Sequence, residues 1–345
     1  MRSRNLIRQL VVLGGLATSS AVARAPVLAS DWCKAAIDYS NANDGVSVLV
    51  LRSGRPVCAS SNVTASHELY SGTKSLVGLM AAAAVKDKLL RLDERASDTL
   101  PEWLTDPEKS KITIRELLSM TSGHAQKVGR PIGYEEAVNA PLSASPGTKF
   151  QYGPAPLQIF GEIMRRKLVA VGQGGNPRDY LGRRILLPLG VHIASWRDGP
   201  DGNPLMPDGL SLAAKEWAKV GEFVRRGGKH RGKWLVDPDA FTQLFNGSVA
   251  NPAYGLTWWL PRTSAAGGPT ADSSDISSHA AELPSDLVVA GGAGRQRLYV
   301  IPSLKLTIVR QANFDVASAL AGKVPKSTWS DTHFIHLIMN KHGAH

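Results

Sequence analysis

The chain has 345 residues, 43% of them apolar and 20% charged. That composition excludes a disordered, collagenous or coiled-coil protein and supplies ample core for one large or two ordinary domains. The formal charge is +11, from 40 Lys and Arg against 29 Asp and Glu, and taken alone it points to nucleic acid or another anionic surface. The first 29 residues change that picture. Arg2, Arg4 and Arg8 are followed by an apolar, small-residue stretch over residues 10–23, with small-residue cleavage options at Ala23, Ala25 and Ala29. This is the pattern of a secretory signal. The stretch is too short and too rich in Gly and Ser for a membrane-spanning helix. Pro26 disfavours a cut after Ala25, so the expected cleavage follows Ala29. Residues 1–29 hold four Arg and no acid, and their removal leaves a charge of +7. The expectation is a periplasmic or secreted protein with no membrane anchor after cleavage, no lipid attachment and no nucleic-acid partner.

Residues 46–51 are a β-branched run, Ser53-Gly54-Arg55 reads as a turn, and residues 57–59 continue the hairpin. Residues 71–90, SGTKSLVGLMAAAAVKDKLL, are apolar nearly all round and predict a buried helix. Residues 114–120, 156–168 and 212–226 are further helical candidates among Pro/Gly loops. Residues 263–285, rich in Gly, Ser and Ala, read as a surface loop. Strands return at residues 287–290, 296–301 and 306–310, and residues 331–339 predict a terminal helix. The fold expected is α/β: an antiparallel sheet flanked by helices and built from both chain ends (30–92 and 285–345), with a mainly helical insertion at 93–284. Only Cys33 and Cys58 are present. In an oxidising compartment they can pair, tying the segment before the first element to a strand; otherwise they are buried thiols. Two cysteines are too few for a zinc or iron–sulfur framework.

The chemistry centres on Ser71-Gly72-Thr73-Lys74, the sole Ser-x-x-Lys in the chain. Residues i and i+3 share a helix face, so the Ser71 hydroxyl and the Lys74 amine can meet. A serine is a poor nucleophile until a neighbour takes its proton, and a lysine in apolar surroundings has a depressed pKa suited to that task. The bland alternative is an N-cap serine followed by a solvated lysine.

Several segments resemble the serine β-lactamase-like hydrolases, the family of class C β-lactamases, D-alanyl-D-alanine peptidases and related esterases and amide hydrolases. They are ITIRELLSMTSG at 112–123, SPGTKFQYGP at 145–154, YGLTWWL at 254–260 and GRQRLYVIPSLKLTIVR at 294–310. The resemblance covers the chain from about residue 44 to its C-terminus. It implies a β-lactamase/transpeptidase-like fold, Ser71 as the acylated nucleophile, Lys74 as its proton partner and Tyr152 as the tyrosine that shuttles a proton to the leaving group. It also implies an oxyanion hole from the Ser71 amide and one strand amide, with Ala293 as the candidate.

Two positions depart from the family pattern. Pro154 stands where an Asn amide is expected, and the third motif, Lys-Thr-Gly or His-Thr-Gly, is replaced by Ala290-Gly291-Gly292-Ala293-Gly294. The missing cation counts against substrates with a carboxylate. Arg295 either replaces it or faces solvent at a hairpin, and Trp258 and Trp259 either line the pocket or pack in the core. His333 and His336, with His342 and His345, are candidate metal ligands on what reads as a fraying helix. His124 either faces the cleft or caps a turn. The run Arg225, Arg226, Lys229, Arg231, Lys233 reads as a solvated loop. The sequence reading is an exported serine hydrolase of esters or amides without metal or cofactor. The alternatives are a β-lactamase or D,D-peptidase using Arg295, and a binding homologue that has lost activity.

Overall fold

The β-branched runs at the two chain ends meet in one sheet. The computed structural model describes residues 30–125, 130–264, 274–323 and 328–339; the leader at 1–29, His342 and His345 lie outside them. Strand β1 (Gly45–Arg52) turns through Ser53 and Gly54, at φ 51° and 80°, into β2 (Arg55–Ala59). Positive φ at both central residues is what a tight hairpin with the right-handed strand twist requires. Three short strands, β3 (Ser66–Glu68), β4 (Ser195–Trp196) and β5 (Leu210–Ala213), form a small sheet in the order β3-β5-β4. Strands β6 (Lys229–His230) and β7 (Lys233–Trp234) make an isolated hairpin. Strands β8 (Val288–Gly292), β9 (Gln296–Ile301) and β10 (Leu306–Ala312) complete the main sheet, an antiparallel array in the order β2-β1-β10-β9-β8.

Among the described residues, ten α-helices surround these strands: α1 (Asp31–Asn41), α2 (Lys74–Lys86), α3 (Ile114–Leu118), α4 (Tyr134–Asn139), α5 (Ala155–Ala170), α6 (Pro177–Leu181), α7 (Ala214–Arg225), α8 (Pro238–Gln243), α9 (Val316–Leu320) and α10 (Asp331–Met339). Helix α1 packs on β1 and on α10, while α7 packs on β1, β9 and β10. With both faces covered, every residue of β9 and β10 is buried. The apolar residues of these strands therefore cluster in runs, 298–301 and 308–309, rather than alternating, and their polar residues are buried as well. Helix α7 comes from within the 93–284 segment, yet it covers the sheet; residues 212–213, read as the start of its helix, belong to strand β5. Helix α3 is fixed by a capping box, Glu116 N donating to Thr113 Oγ1 (3.2 Å) and Thr113 N to Glu116 Oε2 (2.8 Å).

Cys33 lies inside α1 rather than ahead of the first element, and it is bridged to Cys58 of β2 across a Cα–Cα distance of 5.5 Å. Over its described residues the terminal helix α10 is packed down. Phe334, Ile335 and Ile338 are fully buried, and Asp275 accepts from Thr332 N (3.1 Å) and Ser330 Oγ (2.5 Å) at its start. Asp275 and the buried Ile276 lie in the segment read as a surface loop, so that part of it is anchored; residues 265–273 are outside the described set. His333 stacks edge-on to Tyr39 at 4.7 Å and His336 Nε2 lies 3.2 Å from the Glu282 carbonyl, so each is engaged with the fold.

Beneath α10, Asp331 gathers a buried polar network. It accepts from Arg297 Nε (2.9 Å), Trp329 Nε1 (3.1 Å) and Tyr299 Oη. Burial pushes the Asp331 carboxyl upward, but Arg297 and the hydrogen bonds outweigh it and hold the group below the ordinary carboxylate range.

Candidate active site

Ser71 sits in a 3₁₀ turn, Tyr70–Thr73, that leads into α2, not inside the continuous helix expected over 71–90. The turn is held from both sides by strand β5: Leu69 N donates to Leu210 O (2.8 Å) and Leu210 N to Thr73 Oγ1 (3.3 Å). Tyr70, immediately before the serine, has φ 46°, a left-handed conformation that costs a residue with a Cβ roughly 1 kcal/mol or more. The strain turns Ser71 outward, where it is half-buried, while Gly72 and Thr73 are enclosed. Behind the turn, α2 is apolar all round because Leu76, Leu79 and Met80 are each fully buried, worth roughly 1.5–3 kcal/mol apiece. Gly78 on this helix lets the 254–260 segment approach; a Cβ there would lie 2.4 Å from Thr257 Oγ1 and 2.7 Å from Leu256 O.

Lys74 is 4% exposed and donates to Ser71 Oγ at 2.7 Å and to the Pro207 carbonyl at 2.9 Å. Burial lowers its pKa to about 8, against a weaker opposing pull from the Asp208 carboxylate. Its Nζ lies 4.8 Å from the centroid of the Tyr152 ring. Tyr152 is delivered by a segment strapped to the 120–123 loop, with Gln151 N on Met120 O and Gly147 N on Thr121 O, both at 2.8 Å. Around it Phe150, Tyr254 and Trp259 form an aromatic wall, with centroids 6.2, 5.7 and 5.4 Å from the Tyr152 ring. Trp259 also pairs its backbone with Val289, both bonds 2.9 Å, and so closes the free edge of β8. Trp258 is instead a core residue, fully buried and edge-on to Phe245.

The end of β8 presses directly on the serine turn. A Cβ at Gly292 would stand 1.9 Å from the Leu69 carbonyl oxygen and 3.0 Å from Gly72 N. Only a glycine permits that approach, and it brings the end of β8, just before Ala293, against the serine turn. Arg295 fulfils neither expectation. It is 9% exposed, has φ 63° and directs its guanidinium toward Asp44 (3.7 Å), while Arg310 donates to its carbonyl (3.0 Å). The tight turn after β8 swings the side chain toward the start of β1. Pro154 opens α5 and, with His124 and Ile132, lines a cavity of about 520 Å³. His124 is 1% exposed, bonded through Nδ1 to Ser122 Oγ (3.0 Å), and burial lowers its pKa to about 4. It is thus a neutral ring facing that cavity, not a cap of an exposed turn.

A beta-lactamase family profile matches residues 34–323. The chain belongs to the beta-lactamase family. Lovastatin esterase of Penicillium rubens is 30% identical over 155 residues, which span 36% of this chain and 37% of that protein. Among solved structures, EstCE1, described as a hydrolase with promiscuous acyltransferase activity, superposes with a TM-score of 0.62 at 17% identity, over 90% of this chain and 96% of that one. A class C beta lactamase from Rhodobacter sphaeroides gives a TM-score of 0.62 at 14% identity, over 91% and 100%. These structural likenesses establish the β-lactamase/transpeptidase fold.

Two site residues of this beta-lactamase family member were invisible in its sequence. Pro207 supplies a carbonyl to Lys74, and Asp208 adds the opposing charge. Both lie in an ordinary Pro/Gly loop more than 130 positions downstream, and no local pattern marks them.

Proposed function

We propose that this protein is an exported serine hydrolase that cleaves ester bonds, and related amides, of small molecules through an acyl-enzyme on Ser71. The observation that carries this reading is the buried Lys74 amine, 2.7 Å from Ser71 Oγ and titrating near 8. At neutral pH a useful fraction of it is unprotonated and can take the Ser71 proton as Oγ attacks the substrate carbonyl. The amides of Ser71 and Ala293 receive the oxyanion. Tyr152, its ring beside Lys74 Nζ, returns a proton to the departing alcohol or amine. Water then hydrolyses the ester on Ser71. The aromatic wall with Trp259 and the cavity beside Pro154 suit an apolar acyl or alcohol group.

Two features favour esters over β-lactams and peptidoglycan peptides. The strand motif at 290–294 carries no cation, and Arg295 is committed to Asp44. The esterase name of the Penicillium rubens relative supports the same choice. The test exposes the purified chain to a fluorophosphonate, to p-nitrophenyl esters of short acids and to benzylpenicillin. Labelling at Ser71 with ester turnover, and no lasting penicillin adduct or hydrolysis, is expected. Absence of both label and ester turnover overturns the proposal; rapid penicillin hydrolysis transfers it to the β-lactamase reading.

A further inference from the structure

A second face of the molecule combines unpaired cations with exposed apolar side chains. The β6–β7 hairpin turns through Arg231 and Gly232 at φ 48° and 77°, which projects Lys229, Arg231 and Lys233 into solvent. Trp234, 36% exposed, sits across from Lys229, whose Nζ lies 4.2 Å from the indole centroid. Between this hairpin, β1 and α7 is a cavity of about 310 Å³, floored by Leu49, Leu51 and Phe223 and rimmed by Lys215, Arg226 and Lys229. Both acids of α7 are already engaged. Glu222 accepts from Arg225 (2.7 and 2.8 Å) and Thr307 Oγ1 (2.7 Å), and Glu216 from Lys219 (2.7 Å) and His192 N (2.9 Å). Lys215, Lys229, Arg231 and Lys233 have no ion-pair partner among the described residues. Beside the cavity, the 187–193 loop is tied to α7 by Lys219 Nζ on Gly190 O (2.5 Å) and leaves Leu187 70% and Ile193 38% exposed.

We propose that this face, the β6–β7 hairpin with the C-terminal half of α7 and the 187–193 loop, docks the protein onto a bilayer bearing anionic lipid headgroups. Cations near such a surface attract it, and an indole beside them partitions into the headgroup zone. A nucleic acid or an acidic polysaccharide would use the cations but gain nothing from exposed Leu187, Ile193 and an apolar-floored cavity; a lipid surface uses both. The arrangement is peripheral, for no helix among the described residues is long and apolar enough to cross a membrane. Helix α7 links this face to the serine turn. Trp217 packs against Gly72, and Arg226 lies about 13 Å further along the helix axis. Docking therefore holds the cleft at a fixed height above the surface.

The test is co-sedimentation of the full chain with vesicles of equal parts phosphatidylglycerol and phosphatidylcholine, and with phosphatidylcholine alone. The comparison runs between wild type, the triple variant Lys229→Glu/Arg231→Glu/Lys233→Glu, and Trp234→Ser, so that residues 1–29 contribute equally throughout. Wild type should bind the anionic vesicles well above the neutral ones. Each lost cation should weaken binding about fivefold, so that the triple variant falls by about a hundredfold or more. Trp234→Ser should weaken binding and abolish a blue shift of tryptophan emission on vesicle addition. Unchanged melting temperatures confirm that these exposed substitutions leave the fold intact. Equal sedimentation of wild type and triple variant overturns the proposal. So does a cation-dependent binding that Trp234→Ser leaves untouched and soluble heparin fully displaces, because that outcome identifies a polyanion site.

Discussion

Two regions of this protein bury a cation, and they treat it in opposite ways. Lys74, 4% exposed, has two neutral acceptors, Ser71 Oγ and the Pro207 carbonyl, and only a distant pull from Asp208. Uncompensated burial brings its pKa to about 8, so the amine can exist unprotonated in water near neutrality. Arg297, beneath α10, is equally buried but rests on the Asp331 carboxylate at 2.9 Å, which Tyr299 and Trp329 also approach. Arg310 beside it reaches the carbonyls of Gly294, Arg295 and Asn43 and lies 4.2 Å from the Trp329 ring; burial lowers it to about 10, still cationic at neutral pH. For a lysine, burial without a counter-ion makes a proton acceptor; an arginine keeps its charge, and Arg297 on its carboxylate makes a structural tie.

The comparison is open to attack at both sites. The largest effect should come from Ser71→Ala, which leaves Lys74 without a reaction partner. Ester turnover should fall about 10⁴-fold or more with the melting temperature unchanged, and a variant keeping a few per cent of wild-type turnover removes Ser71 from the role. Lys74→Met should cost about 10²–10⁴-fold, and Lys74→Arg should restore nothing, because a guanidinium keeps its proton. Rescue by arginine, measured as kcat on the same ester, contradicts the base assignment. At the other region Asp331→Asn strands Arg297 in the interior and should lower unfolding stability by about 3–5 kcal/mol in denaturant titration, while turnover per folded molecule stays near wild type. The Cys33–Cys58 bridge closes a separation of 25 residues, and its removal by Cys33→Ala/Cys58→Ala should cost about 3 kcal/mol; thiol titration of the denatured, unreduced wild type should find no free thiol. The smallest effect is the pH response. Lys74 must lose its proton to act, so kcat/KM should rise with pH, about tenfold per unit, and level off above about 8. A profile flat from pH 6 to 9 denies that Lys74 titrates in the acylation step.

Much of the site was legible because its central pair is local. Ser71 and Lys74 are three residues apart, and the apolar stretch after them announces a buried helix, so lysine burial follows from the sequence pattern alone. Tyr152 and the Gly-rich end of β8 were legible through their order along the chain. The choice for Arg295 was not, because the direction of a side chain after a tight turn depends on the positive φ at residues 294 and 295, and Asp44 is about 250 positions away. Helix α1 escaped notice because its apolar face is narrow and one of its two partners, α10, lies at the far end of the chain. The anchoring of the 274–285 segment rests on Asp275 capping α10, again a contact between distant residues.

The sequence by itself singled out the residues expected to do chemistry here: a serine with a lysine one turn away in apolar surroundings, a tyrosine in a segment that resembles the family's, and glycines where a strand must come close. It also pointed to strands toward both chain ends, from the β-branched runs at 46–51 and 306–310. The tertiary structure decided how those groups are tuned. The pairing of β1 with β10, the pressure of Gly292 on the Leu69 carbonyl and the arrival of the Pro207 carbonyl at Lys74 are long-range contacts. Protonation and orientation depend on what surrounds a group in space, and in this protein the neighbours that set both come from far along the chain.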